Sequence, residues 1–378
     1  MIKNQKKIVR KLLISSLILL TVALPLAAQT NNITIPVIAI SESFLIDSSG
    51  SLWGWGYNGA GTIGDGTETN RLTPVQVKPG THFKVISSQS HSLAVDSSGN
   101  LWAWGSNITG TIGDGTKVNS LTPVQIKAGT RFTAVAAGLM HSLAIDSKGS
   151  LWVWGYNTNG QLGNGTSGFT DSRTIPMQIK TNIRFTAISA GSFHNLAIDS
   201  KGNLWAWGGN DYGQLGDGTT TERNSPVQIK AGTRFTAVAA YFHSLAIDSS
   251  GNLWAWGRND NGQLGNGTTA NYSAPVQIMA GTKFTAVAAG AAHSLAIDSN
   301  GNLWAWGFNE FYQLGNGTTT DSHVPLKIME GIKMTVAGLS QSFAVDSAGS
   351  LWAWGRNDEG ALGDGTTDNI PTPKRIIP

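Results

Sequence analysis

Gly290-Ala291-Ala292-His293-Ser294-Leu295-Ala296-Ile297-Asp298-Ser299-Asn300-Gly301-Asn302-Leu303-Trp304-Ala305-Trp306-Gly307 is the stretch whose reading decides the architecture. Its closing Trp-x-Trp-Gly occurs seven times, starting at Trp53, Trp102, Trp152, Trp205, Trp254, Trp304 and Trp352. These copies use all 14 tryptophans and fall at intervals of 49, 50, 53, 49, 50 and 48 residues. A fixed period near 50 means one supersecondary unit copied along the chain, not two or three unlike domains. No linker separates the units between Ile33 and the C-terminus.

Working outward from this stretch, each unit offers four short apolar segments bounded by Gly, Asn, Asp or Pro. Phe284–Ala289, Ser294–Asp298, Leu303–Trp306 and Val276–Ile278 are the examples, and they read as strands. Asp298-Ser299-Asn300-Gly301-Asn302 has the composition of a hairpin turn, with Gly301 free to take a positive φ. Leu303-Trp304-Ala305-Trp306 is apolar on both sides. A strand with one wet face would alternate, so this one is expected to be covered twice. Sheets stacked side by side around an axis do that. The expected fold is all-β, a single seven-bladed β-propeller of four-stranded antiparallel blades over residues 29–378. A buried Trp removes about 150–250 Å² from water, roughly 4–6 kcal/mol, which makes the Trp pairs the expected cement between blades.

Composition narrows the function classes. Charged residues are 13% of the chain and cysteine is absent, which excludes disulfides, thiolate catalysis and Cys-ligated metals. Lys3, Lys6, Lys7, Arg10 and Lys11 precede an apolar run from Leu12 to Leu26 and then Ala27-Ala28. This pattern predicts a secretory signal peptide over residues 1–28, too short in its apolar part to span a membrane. Its removal leaves 21 basic against 23 acidic residues, so no nucleic-acid partner is expected. Nor is membrane insertion expected once the leader is cleaved.

Several recurring residues could carry chemistry. His91, His141, His194, His243 and His293 share one repeat position, where the first and last copies have Glu42 and Gln341. Equivalent positions of a ring lie too far apart to meet on one ion at about 2.0–2.1 Å, so these are expected to be structural. Asp65, Asp114, Asn164, Asp217, Asn266, Asn316 and Asp364 stand in Leu-Gly-Asp/Asn-Gly-Thr or its variants. Exchange of Asp for Asn suits turn bonding better than calcium. The hairpin aspartates Asp96, Asp146, Asp199, Asp248 and Asp298 read the same way. No cofactor and no metal is expected, and no catalytic motif is present. Asp211, Asp260, Glu310, Asp358 and Glu359 share a loop position and are the residues a hydrolase reading would use.

The units resemble the repeat of the regulator of chromosome condensation family, whose fold is a seven-bladed β-propeller. Gly213-Gln214-Leu215-Gly216-Asp217-Gly218-Thr219 and Gly290-Ala291-Ala292-His293-Ser294-Leu295-Ala296 carry the likeness, which extends from about Ile35 to the end. The resemblance implies the fold and leaves activity open. It also implies, as an alternative, guanine-nucleotide exchange on a small GTPase. Against that, an exported chain does not meet a cytosolic GTPase, and the one insertion, Ser167–Ser172, is short.

Differences between units point to a binding face. Alternating strands put the loop before each His and the loop after each Trp-x-Trp-Gly on the same end of the ring. That end holds Tyr57, Tyr156, Tyr212, Tyr241, Phe242, Arg258, Phe308, Phe311, Tyr312 and Arg356. Aromatics with Arg on loops are the composition of an interface hot spot. The expectation is a secreted, monomeric, non-enzymatic protein that presents these side chains, solvent-accessible, to a protein or cell-surface macromolecule. The strands near Val37–Ile40 and Arg375–Ile377 are expected in the same or adjacent blades, closing the ring by pairing of the terminal segments.

Overall fold

The computed structural model describes residues 37–377, so the proposed leader lies outside the described residues. Among the described residues, twenty-eight strands form seven four-stranded antiparallel sheets, each made of four strands consecutive in sequence. In the sixth blade these are Phe284–Ala289, His293–Asp298, Leu303–Gly307 and Ser322–Met329. The segment read as Val276–Ile278 is longer, Tyr272–Ile278, and is the outer strand of the fifth blade.

First strands of neighbouring blades touch all the way round, including the last against the first, so they line the axis. The terminal strands Val37–Ser41 and Ile370–Ile377 fall in adjacent blades. They do not pair with each other, because each blade is complete in four consecutive strands. The ring closes by packing the seventh blade on the first. Val37 N donates to Gly349 O at 3.1 Å, the bond that Phe83 N makes to Gly50 O at 2.8 Å in the next blade.

The two tryptophans of each unit do different work. The second is the cement: Trp104, Trp154, Trp207, Trp256, Trp306 and Trp354 have no exposed surface. Their indole N–H groups donate across the interface, Trp256 Nε1 to Gln214 O at 2.9 Å for example. Gly216 makes room for that ring, since a Cβ there would lie 2.7 Å from Trp256 Nε1. The first tryptophan of each pair is only half-buried. It bonds its own hairpin, as Trp254 Nε1 does to Asp248 Oδ2 at 2.9 Å. Both members of each pair thus pack between blades, the inner one fully buried and the outer one half-buried. The outer one packs at the rim of the same interface, as Trp102 does beneath Lys78 of the preceding blade, and keeps contact with water.

Candidate functional site: the loop face

The loops after Trp-x-Trp-Gly are organised by a buried asparagine two residues on. Asn58 donates from Nδ2 to Asp65 Oδ1, Thr67 O and Thr69 O, and its Oδ1 accepts from Ile63 N at 2.9 Å. Asn107, Asn157, Asn210, Asn259, Asn309 and Asn357 are equally buried. Their recurrence two residues after each Trp-x-Trp-Gly was the signal in the sequence, and it was not singled out. Asp65 Oδ1 in turn accepts from the N–H and hydroxyl of Thr67, the turn role expected for that position.

The five histidines form a belt through the interior. Each reaches the residue after the equivalent position of the next blade: His91 Nε2 to Ser142 Oγ at 2.7 Å, His141 to Asn195 Oδ1 at 2.7 Å, His243 to Ser294 Oγ at 2.7 Å. Ser294 Oγ passes the chain on to Gln263 O at 2.7 Å. Burial pushes His91, His194 and His243 down to about 3, with a neighbouring histidine adding to it. It pushes His141 and His293 down to about 4. They are neutral bonding groups. Among the described residues no group of His, Asp or Glu is placed to hold a metal.

The expected binding residues all lie on this end of the ring, and they differ in exposure. Tyr57, 55% exposed, and Arg356 are open to solvent. Tyr156, Tyr212, Phe242, Arg258, Phe308, Phe311 and Tyr312 are half-buried. Tyr241, expected to be accessible, is 4% exposed. It replaces a small residue in the loop before His243, so its ring turns in toward the axis and fills space there. The half-buried set interlocks across blades. The Arg258 guanidinium lies 5.3 Å from the Tyr212 ring and 5.6 Å from that of Phe242. Arg356 lies 5.0 Å from Phe311, which meets Phe308 edge-on at 6.2 Å. Stacking of this kind holds arginines at fixed positions and leaves the N–H groups not taken by Asp260 or Asp358 able to bond.

Three further apolar groups belong to this face and were not singled out: Ile108, Phe169 and Leu339 are 65%, 71% and 58% exposed. Phe169 sits on the insertion of the third unit, edge-on to Tyr156 at 6.3 Å. An apolar residue alone in a polar loop was the signal for each. Of the loop carboxylates, Asp358 and Glu359 of the seventh blade line one cavity. Asp260 is tied to Arg258 at 2.6 Å and Asp358 to Arg356 at 2.7 Å, each within its own blade.

The belt breaks at the first blade. There Ile46 pairs with Ala39, seven positions away, whereas its counterpart Val95 pairs with Val85, ten away. The loop before the second strand is three residues shorter. Glu42 stands at its tip with φ 37°, a left-handed backbone uncommon outside glycine. The missing length leaves a cavity of about 560 Å³ walled by the seventh, first and second blades, with Leu139 reaching it from the third and Tyr241 from the fifth.

The chain matches the RCC1-like domain over residues 25–338 and the regulator of chromosome condensation (RCC1) repeat over residues 348–378. It belongs to the RCC1-like propeller family. Human WBSCR16 is similar in structure, with a TM-score of 0.78 at 20% identity, over 86% of this chain and 93% of that one. Yeast RCC1 (Prp20), seen bound to Kap60, has a TM-score of 0.76 at 22% identity, covering 91% and 85%. Prp20p of Saccharomyces cerevisiae, described with its binding properties to Gsp1p and histones, gives 0.77 at 23% over 91% and 87%. At these identities the likeness shows the fold.

Proposed function

We propose that this protein is an exported, non-enzymatic binding propeller whose loop face docks a protein. The observation that carries the reading is the arginine–aromatic interlock of Arg258, Tyr212 and Phe242, and of Arg356 and Phe311. Locked arginines beside exposed Tyr57, Ile108 and Leu339 combine preformed hydrogen-bond donors with apolar surface. Side chains already ordered lose little entropy on docking. Binding of Gsp1p and histones by Prp20p, a propeller of the same family, is in keeping with a protein partner here.

The test is capture from secreted and envelope fractions with wild type, with Arg258→Ala plus Arg356→Ala, and with Lys148→Ala on the opposite end. A partner retained by wild type and Lys148→Ala but lost by the double variant supports the reading. Equal capture by all three, or none at micromolar strength, overturns it. Accelerated GDP release from a small GTPase would replace it with an exchange activity. Export is tested separately: N-terminal sequencing of secreted material should begin at Gln29.

A further inference from the structure

The cavity at the first blade has an unusual balance of hydrogen-bonding groups. Glu42 lines it, only partly exposed, and its carboxylate has no hydrogen-bond partner among the described residues. Gln89 also lines it, with a buried Oε1 that has no partner among the described residues. Gln341, opposite, accepts only a long bond from Ser340 N at 3.2 Å. The Glu42 carboxylate and two amide oxygens therefore face this space with little or no pairing among the described residues. Tyr57 and Tyr241 add aromatic walls. Among the charged groups, Arg356 is already paired with Asp358, which leaves Glu42 and Glu359 uncompensated. Glu359 too holds a left-handed backbone, at φ 61°.

Unpaired acceptors, an uncompensated carboxylate and aromatic walls are together the complement of an N–H-bearing organic cation on an aliphatic stem. We propose that this cavity binds an alkylammonium or guanidinium group, with Glu42 as counter-ion. The group comes either from a lysine or arginine side chain of the docked protein or from a free small amine. The first source deepens the docking reading and rests on it; the second does not. The cavity's volume accommodates such a side chain with water, and it opens on the loop face beside exposed Tyr57.

Burial pushes the Glu42 carboxyl up to about 8. The other ionisable groups around the cavity are Tyr57, Tyr241, Arg356, Asp358 and Glu359. An alkylammonium stays charged to about pH 10, so binding should strengthen as Glu42 ionises. The experiment is an NMR titration of the whole protein with Nα-acetyl-lysine methylamide, its arginine counterpart, n-butylamine, and Nα-acetyl-norleucine methylamide as the uncharged control. Expected is saturable binding of a cationic probe, at least about tenfold tighter than norleucine, rising about tenfold or more from pH 6.5 to pH 8.5. Glu42→Gln should abolish the pH dependence and weaken binding about tenfold, and Gln89→Leu should weaken it independently should Glu42→Gln misfold. Binding of n-butylamine but neither amino-acid derivative assigns the free-amine source. No saturation by any cation, or equal binding of norleucine, overturns the inference. A protein partner still captured in that case would leave the docking reading standing.

Discussion

The interfaces from the second blade to the seventh and the two that flank the first blade solve the same packing problem with opposite chemistry. In the former a buried neutral histidine bonds to the next blade, as His194 Nε2 does to Ser244 Oγ at 2.8 Å. Gly138, Gly191 and Gly290 leave room for the rings; a Cβ on Gly138 would lie 2.6 Å from His141 Nδ1. At the first blade a shortened loop, Glu42 and Gln341 replace that arrangement, and a cavity opens. Other cross-blade bonds continue through the seam: Trp55 Nε1 donates to Ala361 O at 3.0 Å, and Gly365 N to Leu72 O at 2.9 Å. Closure is therefore kept by tryptophan and backbone, and the histidine layer is what was given up to make space. A regular layer builds the ring, and its interruption makes a site.

The two regions should answer pH in opposite senses, and the histidines give the larger effect. Their folded pKa values lie well below the ordinary 6.5, so the unfolded chain binds more protons between about 6.5 and 4. Stability is then full above 6.5 and is lost as pH falls through that window. At pH 5 each histidine costs about 2 kcal/mol, and the five together are expected to dominate acid unfolding. Urea unfolding of wild type and His243→Gln at pH 7.5 and pH 5 checks this. The variant should show a pH-dependent loss smaller by about 2 kcal/mol. Identical losses would mean that His243 is not buried and neutral.

Glu42 works the other way. A carboxyl raised from 4.5 to about 8 stabilises the fold while protonated, so its contribution is present below 4.5 and lost as pH rises through 8. Glu42→Gln should match wild type at pH 4.5 and exceed it by about 2 kcal/mol at pH 9, partial exposure reducing the full shift. Equal stability at both pH values would place Glu42 in water and remove the contrast. The same variant loses cation binding, so a gain in stability with a loss of affinity is the combined signature of a group kept for its ligand.

Much of this was legible in the sequence, for a definite reason. Seven copies of Leu-Trp-x-Trp-Gly fix the blade number, and strand boundaries such as Phe284–Ala289 follow from Gly and Asn punctuation. The histidines' structural role followed from their recurrence, because ring geometry keeps equivalent positions apart. Contacts between unlike positions were not legible. Arg258 lies over Tyr212, from the loop of the preceding unit, and nothing in either loop alone reports the stack. Tyr241 read as an accessible loop aromatic on the same footing as its neighbour Phe242, which is half-buried; which of the two is buried more deeply depends on space around the axis. The cavity was hidden for the same reason. Glu42 aligned with the histidines as a substitution, and only the strand register shows the loop to be three residues shorter.

The smallest effect concerns a single turn on the loop face, and it separates packing from use. Six units place glycine at one left-handed position: Gly61, Gly110, Gly160, Gly213, Gly262 and Gly360. The sixth unit has Tyr312 there at φ 66°, and its turn still forms, with Tyr312 N donating to Asn309 O at 3.0 Å. In the fifth unit a Cβ on Gly262 would lie 2.7 Å from the backbone Cα of His323, so Gly262→Ala should cost about 2 kcal/mol or more. Tyr312 already accepts the left-handed strain, about 1–2 kcal/mol for a residue with a Cβ. Tyr312→Gly should therefore leave stability unchanged or raise it by up to about 1 kcal/mol, since lost side-chain contacts offset part of the relief. Paired thermal melts of the two variants measure the difference directly. If Tyr312→Gly instead destabilises as much as Gly262→Ala, the tyrosine is a packing residue. If it is neutral in melts yet weakens capture of the partner, the strain is held for the binding face, where a half-buried aromatic beside Phe311 and Arg356 would make contact.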